Sequence, residues 1–153
     1  MILRKFKNKD TKNVASLVGD TFAMFNSKEG DKKAIRNYIE FYKTNDIDKV
    51  KKIFAKSTIF FVAVDNGKIV GMVRGNSNRI FNLFVLGSYH KKGIGTKLLN
   101  KFEMESKKNK SNVIKIRSSL FAFNFYKKMG YKKSTGIRLF KGIKVHPMKK
   151  IIT

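Results

Sequence analysis

The sequence predicts one mixed α/β domain of the α+β kind, on three observations. The first third carries apolar residues at helical spacing, the texture turns β-branched and aromatic at Thr58, and a strand, a glycine-containing loop and a helix follow in that order. No internal repeat, low-complexity tract or Pro/Ser-rich linker divides the 153 residues, a length that fits a single domain.

The elements follow in order. Residues 2–6 form a short first strand, and Asp10 or Thr11 is the N-cap of the helix behind it. In that helix Val14, Leu17, Val18, Phe22 and Phe25 share one stripe. A loop over residues 26–31 leads to a second helix with Ala34, Ile35, Tyr38, Ile39 and Tyr42 on one side, and a third carries Ile47, Val50, Ile53 and Phe54. Residues 58–64 and 68–75 pair as an antiparallel hairpin around the turn Asp65-Asn66-Gly67. A strand over residues 80–86 then precedes a helix whose buried side holds Ile94, Leu98, Leu99 and Phe102. In the next strand, residues 113–117, either Val113 or Ile114, with Ile116, faces helices. A short aromatic helix over residues 120–129 is stopped by Gly130 at C′. Residues 131–134 and 138–144 finish as strands around a Thr135-Gly136 turn.

Composition excludes several classes. The chain has no cysteine, so it is not a disulfide scaffold, and a hydrophobic content of 42% with 14 Phe separates it from chains that stay disordered. The longest apolar run, residues 59–64, is far short of the ~20 residues a membrane span needs. Residues 1–7 contain no signal-peptide core, which leads us to expect a cytoplasmic protein. Lys+Arg total 35 against 10 Asp+Glu, a formal charge of +25. Such a charge suits polyanions in general. It is mostly lysine spread along the chain, however, whereas a dedicated phosphate binder concentrates charge on one face and favours arginine. One asymmetry stands out: no acidic residue follows Glu105, while 14 Lys or Arg do. The C-terminal third therefore carries a positive field fitted to an anionic ligand.

The informative stretch is Val85-Leu86-Gly87-Ser88-Tyr89-His90-Lys91-Lys92-Gly93-Ile94-Gly95-Thr96. Glycine has no Cβ, so the backbone at Gly93 and Gly95 can approach a ligand closely. The first amides of the helix lack intrahelical acceptors, and with the helix dipole and the charges of Lys91 and Lys92 they make a place for a phosphate or pyrophosphate. The pattern is neither a P-loop, because no Gly-Lys-Ser/Thr follows, nor a dinucleotide fingerprint, because the third glycine is missing. A solvated lysine loop is the alternative on this stretch alone.

A second segment about 25 residues on adds to it. His90-Lys91-Lys92-Gly93-Ile94-Gly95 resembles the pyrophosphate loop Gln/Arg-x-x-Gly-x-Gly/Ala of the GNAT superfamily of acyl-CoA-dependent N-acetyltransferases. Ser119-Leu120-Phe121-Ala122-Phe123-Asn124-Phe125-Tyr126-Lys127-Lys128-Met129-Gly130-Tyr131 is similar to the family's Asn-x-x-Ala-x-x-Phe-Tyr-x-x-x-Gly-Phe, and residues 61–71 resemble its second and third strands. The resemblance spans residues 58–131 in the family's order. It implies a central mixed, mostly antiparallel sheet, splayed between the fourth and fifth strands and flanked by helices on both faces. It implies acetyl-CoA as acyl-donor cosubstrate and no metal. Backbone groups of Leu83, Phe84 and Val85 would pair with the pantetheine arm, and His90, Lys91, Lys92, Gly93, Ile94, Gly95 and Thr96 would hold the pyrophosphate. Tyr126 falls on the family's general acid toward the departing thiolate. Ser119 stands where the family has Asn, so either Ser119 or Asn124, further along the helix, takes that contact. His90 stands in the Gln/Arg place, which keeps the backbone donors and changes the side chain. A homodimer through residues 137–145 is a further family habit.

Amide formation needs a neutral amine. For an acceptor with a lysine-like pKa of about 10.4, deprotonation at pH 7 costs about 4.6 kcal/mol. A base or water relay is therefore required near the acceptor. The strand over residues 80–86 has no carboxylate, which leaves Asp20, Glu29, Asp31 and Glu40, or plain surface roles for all four. A backbone N–H on the same strand would polarise the thioester carbonyl. Phe22, Phe25, Phe41 and Tyr42 are candidates for an acceptor pocket or for core. Two functions follow from different classes: an acetyl-CoA-dependent N-acetyltransferase acting on a primary amine of a small molecule or peptide, or a noncatalytic basic binding protein for RNA, DNA or an acidic partner. The second would call for exposed aromatics interleaved with arginine, which this sequence lacks. A strongly cationic acceptor is disfavoured by the overall charge.

Overall fold

The computed structural model describes residues 1–153. Its elements are β1 (Ile2–Lys5), α1 (Thr11–Phe25), α2 (Lys32–Tyr42), α3 (Ile47–Phe54), β2 (Ile59–Asp65), β3 (Lys68–Asn76), β4 (Arg79–Val85), α4 (Ile94–Lys108), β5 (Val113–Ser118), α5 (Phe123–Lys128), β6 (Lys132–Lys133), β7 (Arg138–Phe140) and β8 (Ile143–Ile151). The strands form one mostly antiparallel sheet in the order β1-β2-β3-β4-β5-β8-β6, with β7 also pairing β8. The β2–β3 turn is as predicted: Asn66 and Gly67 both have positive φ, at 50° and 77°, the combination a two-residue hairpin of this twist requires.

Alternation along the strands divides the core into two layers. Phe61, Ala63 and Val73 face α4, where Ile94, Leu98, Leu99 and Phe102 pack with Ile114, Ile116 and Met148. Val62 and Met72 face the other way, onto Val14, Leu17 and Val18 of α1, Tyr42 of α2 and Val50 and Phe54 of α3. Ile114 rather than Val113 is the fully buried member of β5. No helix is long and apolar enough to cross a membrane.

Three expectations change. Asp10 is the N-cap residue of α1, yet its carboxylate serves Arg4, at 2.8 and 3.0 Å, and the Lys7 amide instead of the helix's first turn. The helix expected over residues 120–129 begins only at Phe123, because the amides of Leu120 and Phe121 turn toward Glu29 and that of Ala122 bonds Ser119 Oγ at 3.0 Å. The end of the chain is rearranged most. Residues 138–144 are not one strand: Lys141 and Gly142, with φ of 52° and 81°, reverse the chain between β7 and β8. β6 and β7 do not pair across Thr135-Gly136; each pairs with β8.

β4 and β5 are the parallel pair, and they touch only at Arg79–Lys115 and Ile80–Ile116. Beyond Ile80 they diverge, so Leu83, Phe84 and Val85 are paired to β3 on one side and have no strand on the other. That divergence opens the sheet where the site residues lie.

Candidate active site

Two cavities meet at the splay. The smaller, about 370 Å³, lies over the start of α4 and is lined by residues that include Val85, His90, Lys91, Gly93, Ile94, Gly95, Thr96 and Phe125. The larger, about 790 Å³, lies under α2 and the β7–β8 turn and includes Phe22, Tyr38, Phe41, Tyr42 and Tyr126. Asn26, Leu83, Phe84, Ser119 and Ala122 line both and form the junction between them.

The floor of the smaller cleft is a nest of backbone donors. None of the amides of residues 91–96 donates a hydrogen bond within the protein; the first bond of α4 is Lys97 N–H to the Gly93 carbonyl at 3.0 Å. Lys91 and Gly93 have φ of 60° and 80°, and left-handed residues in such a run turn successive N–H groups toward one point. The space around Gly93 is open, with no atom within 4 Å of where a Cβ would sit, and Gly95 carries its backbone past the ring of Phe125. The geometry and charge fit a pyrophosphate. Thr21 adds a buried hydroxyl in the same wall that has no partner in the protein.

His90 is placed in an unforeseen way. Its Nε2 lies 2.7 Å from the carbonyl oxygen of Val85; the carbonyl only accepts, so Nε2 carries the proton. The ring lies tilted against Phe25, with centres 4.7 Å apart, and Phe25 in turn stacks on Phe121 at 4.7 Å. The histidine thus braces the end of β4 and already occupies one acceptor position of Val85. Lys92 leans over Tyr89, 5.2 Å from its ring centre, and lines neither cavity. Asn124 is exposed and also lines neither, whereas Ser119 sits at the junction.

Tyr126 is buried among Phe125 and Tyr131 and lines the larger cavity; its hydroxyl has no hydrogen-bond partner in the protein. Burial pushes its pKa up, so the proton is held at neutral pH. Of the four candidate carboxylates, only Asp31 reaches the larger cavity, and it also caps α2, accepting from the Ala34 amide at 3.1 Å. Asp20 is exposed and pairs with Lys43, Glu40 is exposed, and Glu29 holds backbone amides. Phe22, Phe41 and Tyr42 line the larger cavity and Phe25 the smaller.

Sequence reasoning missed Arg74. It is 5% exposed, lies on β3 in the wall of the larger cavity, and reaches Asn82 Oδ1 at 2.7 Å and Ser57 Oγ at 3.1 Å. The available signal was an arginine inside the otherwise apolar stretch Val70-Gly71-Met72-Val73-Arg74, a residue type that is seldom buried without a reason.

Comparison with known proteins agrees with this geometry. The family model of the acetyltransferase (GNAT) domain matches residues 26–152. No curated protein matches the sequence. Among solved structures, a GCN5-related N-acetyltransferase from Rhodopseudomonas palustris superimposes with a TM-score of 0.86 at 17% identity, over 98% of this chain and 94% of that one. The PaiA N-acetyltransferase of Thermoplasma acidophilum, solved in complex with coenzyme A, gives 0.76 at 18% identity over 98% of each chain. The aminoglycoside 6′-N-acetyltransferase of Enterococcus faecium gives 0.70 at 19% identity, over 100% and 98%. With a domain match over most of its length and a sheet that opens between β4 and β5 beside an amide-lined loop, this chain belongs to the GNAT acetyltransferase family.

Proposed function

We propose that the protein is an acetyl-CoA-dependent N-acetyltransferase that moves an acetyl group to a primary amine of a small molecule or peptide, by direct attack in a ternary complex. The observation that carries this reading is the meeting of an amide-lined cleft and a separate large cavity at Leu83, Phe84 and Ser119. Acetyl-CoA, when bound, supplies the activated acyl thioester. The amides of residues 91 and 93–96, with Lys91 beside them, hold its pyrophosphate, and the edge of β4 at Leu83, Phe84 and Val85, which carries no strand and where His90 leaves the Val85 carbonyl one acceptor position, receives the pantetheine arm. A β4 amide on that edge is the donor toward the carbonyl oxygen as negative charge develops there.

The acceptor enters from the larger cavity. Lys33, Arg74, Arg117 and Lys141 line it against one carboxylate, Asp31. Nearby positive charge disfavours the ammonium form, so this field itself lowers the cost of producing a neutral amine. Asp31 is the one side chain in the lining that can take the amine's proton without a relay. Tyr126 holds its own proton and donates it toward the departing sulfur; desolvation in the same pocket raises the proton affinity of that thiolate as well.

Thermal unfolding with and without acetyl-CoA, paired with thiol release over a panel of amines, tests the proposal. A raised melting temperature and amine-dependent thiol release are expected. Neither effect at millimolar acetyl-CoA would overturn the reading in favour of a noncatalytic basic binder.

A further inference from the structure

Arg74 is a buried cation without a counterion. It takes part in none of the protein's ion pairs, which are Arg4–Asp10, Lys43–Asp20, Lys108–Glu105 and Lys150–Glu103. Its guanidinium lies against two aromatic rings, 5.1 Å from the centre of Phe54 and 5.4 Å from that of Phe81. Nε donates to Asn82, and Nη1 donates to Ser57 and, at 3.4 Å, to the Ile53 carbonyl. Asn82 is oriented in turn by donating to the Tyr38 hydroxyl at 3.2 Å. The remaining nitrogen, Nη2, makes no hydrogen bond in the protein and is not among the polar atoms sealed from solvent. Arg74 lines the larger cavity, and Nη2 is the guanidinium nitrogen whose two N–H bonds remain free for a ligand there.

Withdrawing an arginine from water without a carboxylate is costly, and neutral acceptors and flanking rings recover only part of the lost hydration. An oxyanion arriving in the cavity supplies the missing partner, in the charge-assisted pairing that arginine favours. The surroundings strengthen the preference. Arg117 stacks on Phe140 at 4.1 Å in the same lining, which adds a second arginine to the cavity wall. A free cationic amine is repelled by this field; one that carries its own anion is not.

We infer that the acceptor is an amine that also bears a carboxylate, with Arg74 as the residue that binds it. The inference rests on the acetyltransferase reading for the amine, and on Arg74 alone for the anion. The guanidinium lies beside Asn82, about 3–7 Å along β4 from Leu83 and Phe84, where the two cavities join. Amine and carboxylate are therefore at opposite ends of the acceptor, separated by a body of about that length. Phe22, Phe41, Phe81 and Phe84 in the lining suit a ring or another apolar spacer.

A matched pair of ligands tests this: para-(aminomethyl)benzoate and para-methylbenzylamine, which share the amine and ring and differ in the carboxylate. Calorimetry in the presence of CoA is expected to show the carboxylate-bearing ligand binding at least about tenfold more tightly to the wild-type protein. Arg74→Gln is expected to erase that difference by weakening para-(aminomethyl)benzoate, while para-methylbenzylamine, no longer facing this charge, binds no more weakly than before. Arg74→Lys keeps the charge without the fork and should retain part of it. Equal affinities in the wild-type protein, or no binding of either ligand at millimolar concentration, would overturn the inference, and this comparison holds even if Arg74→Gln does not fold. Thiol release separates the two levels: turnover of para-methylbenzylamine without preference for its carboxylate analogue sinks the inference and leaves the acetyltransferase intact.

Discussion

The carboxylate of Glu29 accepts the backbone amide of Leu120 at 3.1 Å, joining residues 91 positions apart in the chain. It also accepts the Phe121 amide at 3.0 Å, while Asn26 Nδ2 holds the carboxylate at 3.1 Å. One side chain thereby fixes the loop after α1 to the turn that carries Ser119, Phe121 and Ala122 into the cavities. Hydrogen bonds to a charged group contribute about 1.5–3 kcal/mol each. Because Glu29 is only half-buried and water can replace it at these donors, Glu29→Ala is expected to destabilise the fold by only about 2–3 kcal/mol, lowering Tm by roughly 4–12 °C, and to weaken acetyl-CoA binding. Glu29→Gln, which keeps one acceptor oxygen, should lose less on both measures. Thermal unfolding and calorimetry check the pair.

The same loop is clamped from the other side. Lys144 N–H donates to the Glu29 carbonyl at 2.7 Å and Asp31 N–H to that of Gly142 at 2.9 Å. A Cβ on Gly30 would fall on the Gly142 carbonyl oxygen, and one on Gly142, whose φ is 81°, would come within 2.7 Å of Ala34 Cβ. Gly142→Ala is expected to cost about 1–3 kcal/mol through strain and crowding. Because the β7–β8 turn walls the larger cavity, the acceptor's KM should rise more than kcat falls.

At the amide nest, Gly93→Asp places a carboxylate in open space beside donors suited to an anion. We expect it to abolish the thermal shift given by acetyl-CoA. Gly95→Ala meets Phe125 only at ordinary contact, 3.4 Å, so its own stability should be little changed and any loss of cofactor affinity can be read as a local effect.

Tyr126→Phe removes one hydroxyl that has no hydrogen bond in the protein and leaves the buried ring in place. Turnover is expected to fall about 10²-fold or more, with acetyl-CoA affinity and Tm nearly unchanged. Unchanged turnover would remove the proton-donor role.

Acid stability should depend on Asp10. The Arg4 guanidinium, bonded to it at 2.8 and 3.0 Å, holds its pKa below the usual value, and the Lys7 amide adds to this. A folded pKa below the unfolded value of about 3.9 means that the stabilisation is complete above that value and is lost as pH falls through the folded one. Asp10→Asn should therefore be less stable than wild type at neutral pH. The gap in Tm should stay constant down to about pH 5 and close below it.

Much of the scaffold was legible in the sequence because its rules act over a few residues. Helical spacing marked α1 to α4, Asn66-Gly67 marked its hairpin, and Gly93-Ile94-Gly95 marked a helix start with free amides. The last strands were misread because β8 pairs at once with β5, β6 and β7, so its length is set by partners that lie elsewhere in the chain. Asn124 was expected to substitute for Ser119, yet the turn ahead of α5 leaves Ser119 at the cavity junction and Asn124 exposed.

The sequence by itself determined the order of elements, the family's motifs and an excess of positive charge, since periodicity, turn chemistry and composition are properties of neighbouring residues. Only the tertiary structure decided what two ordinary charges do. Glu29 reads as one more surface carboxylate and Arg74 as one more base among 35 Lys and Arg. Their roles depend on which groups from distant segments surround them: amides within reach of Glu29, and no carboxylate within reach of Arg74. A buried charge is stabilised or left wanting by its three-dimensional neighbours, and sequence distance carries no information about those.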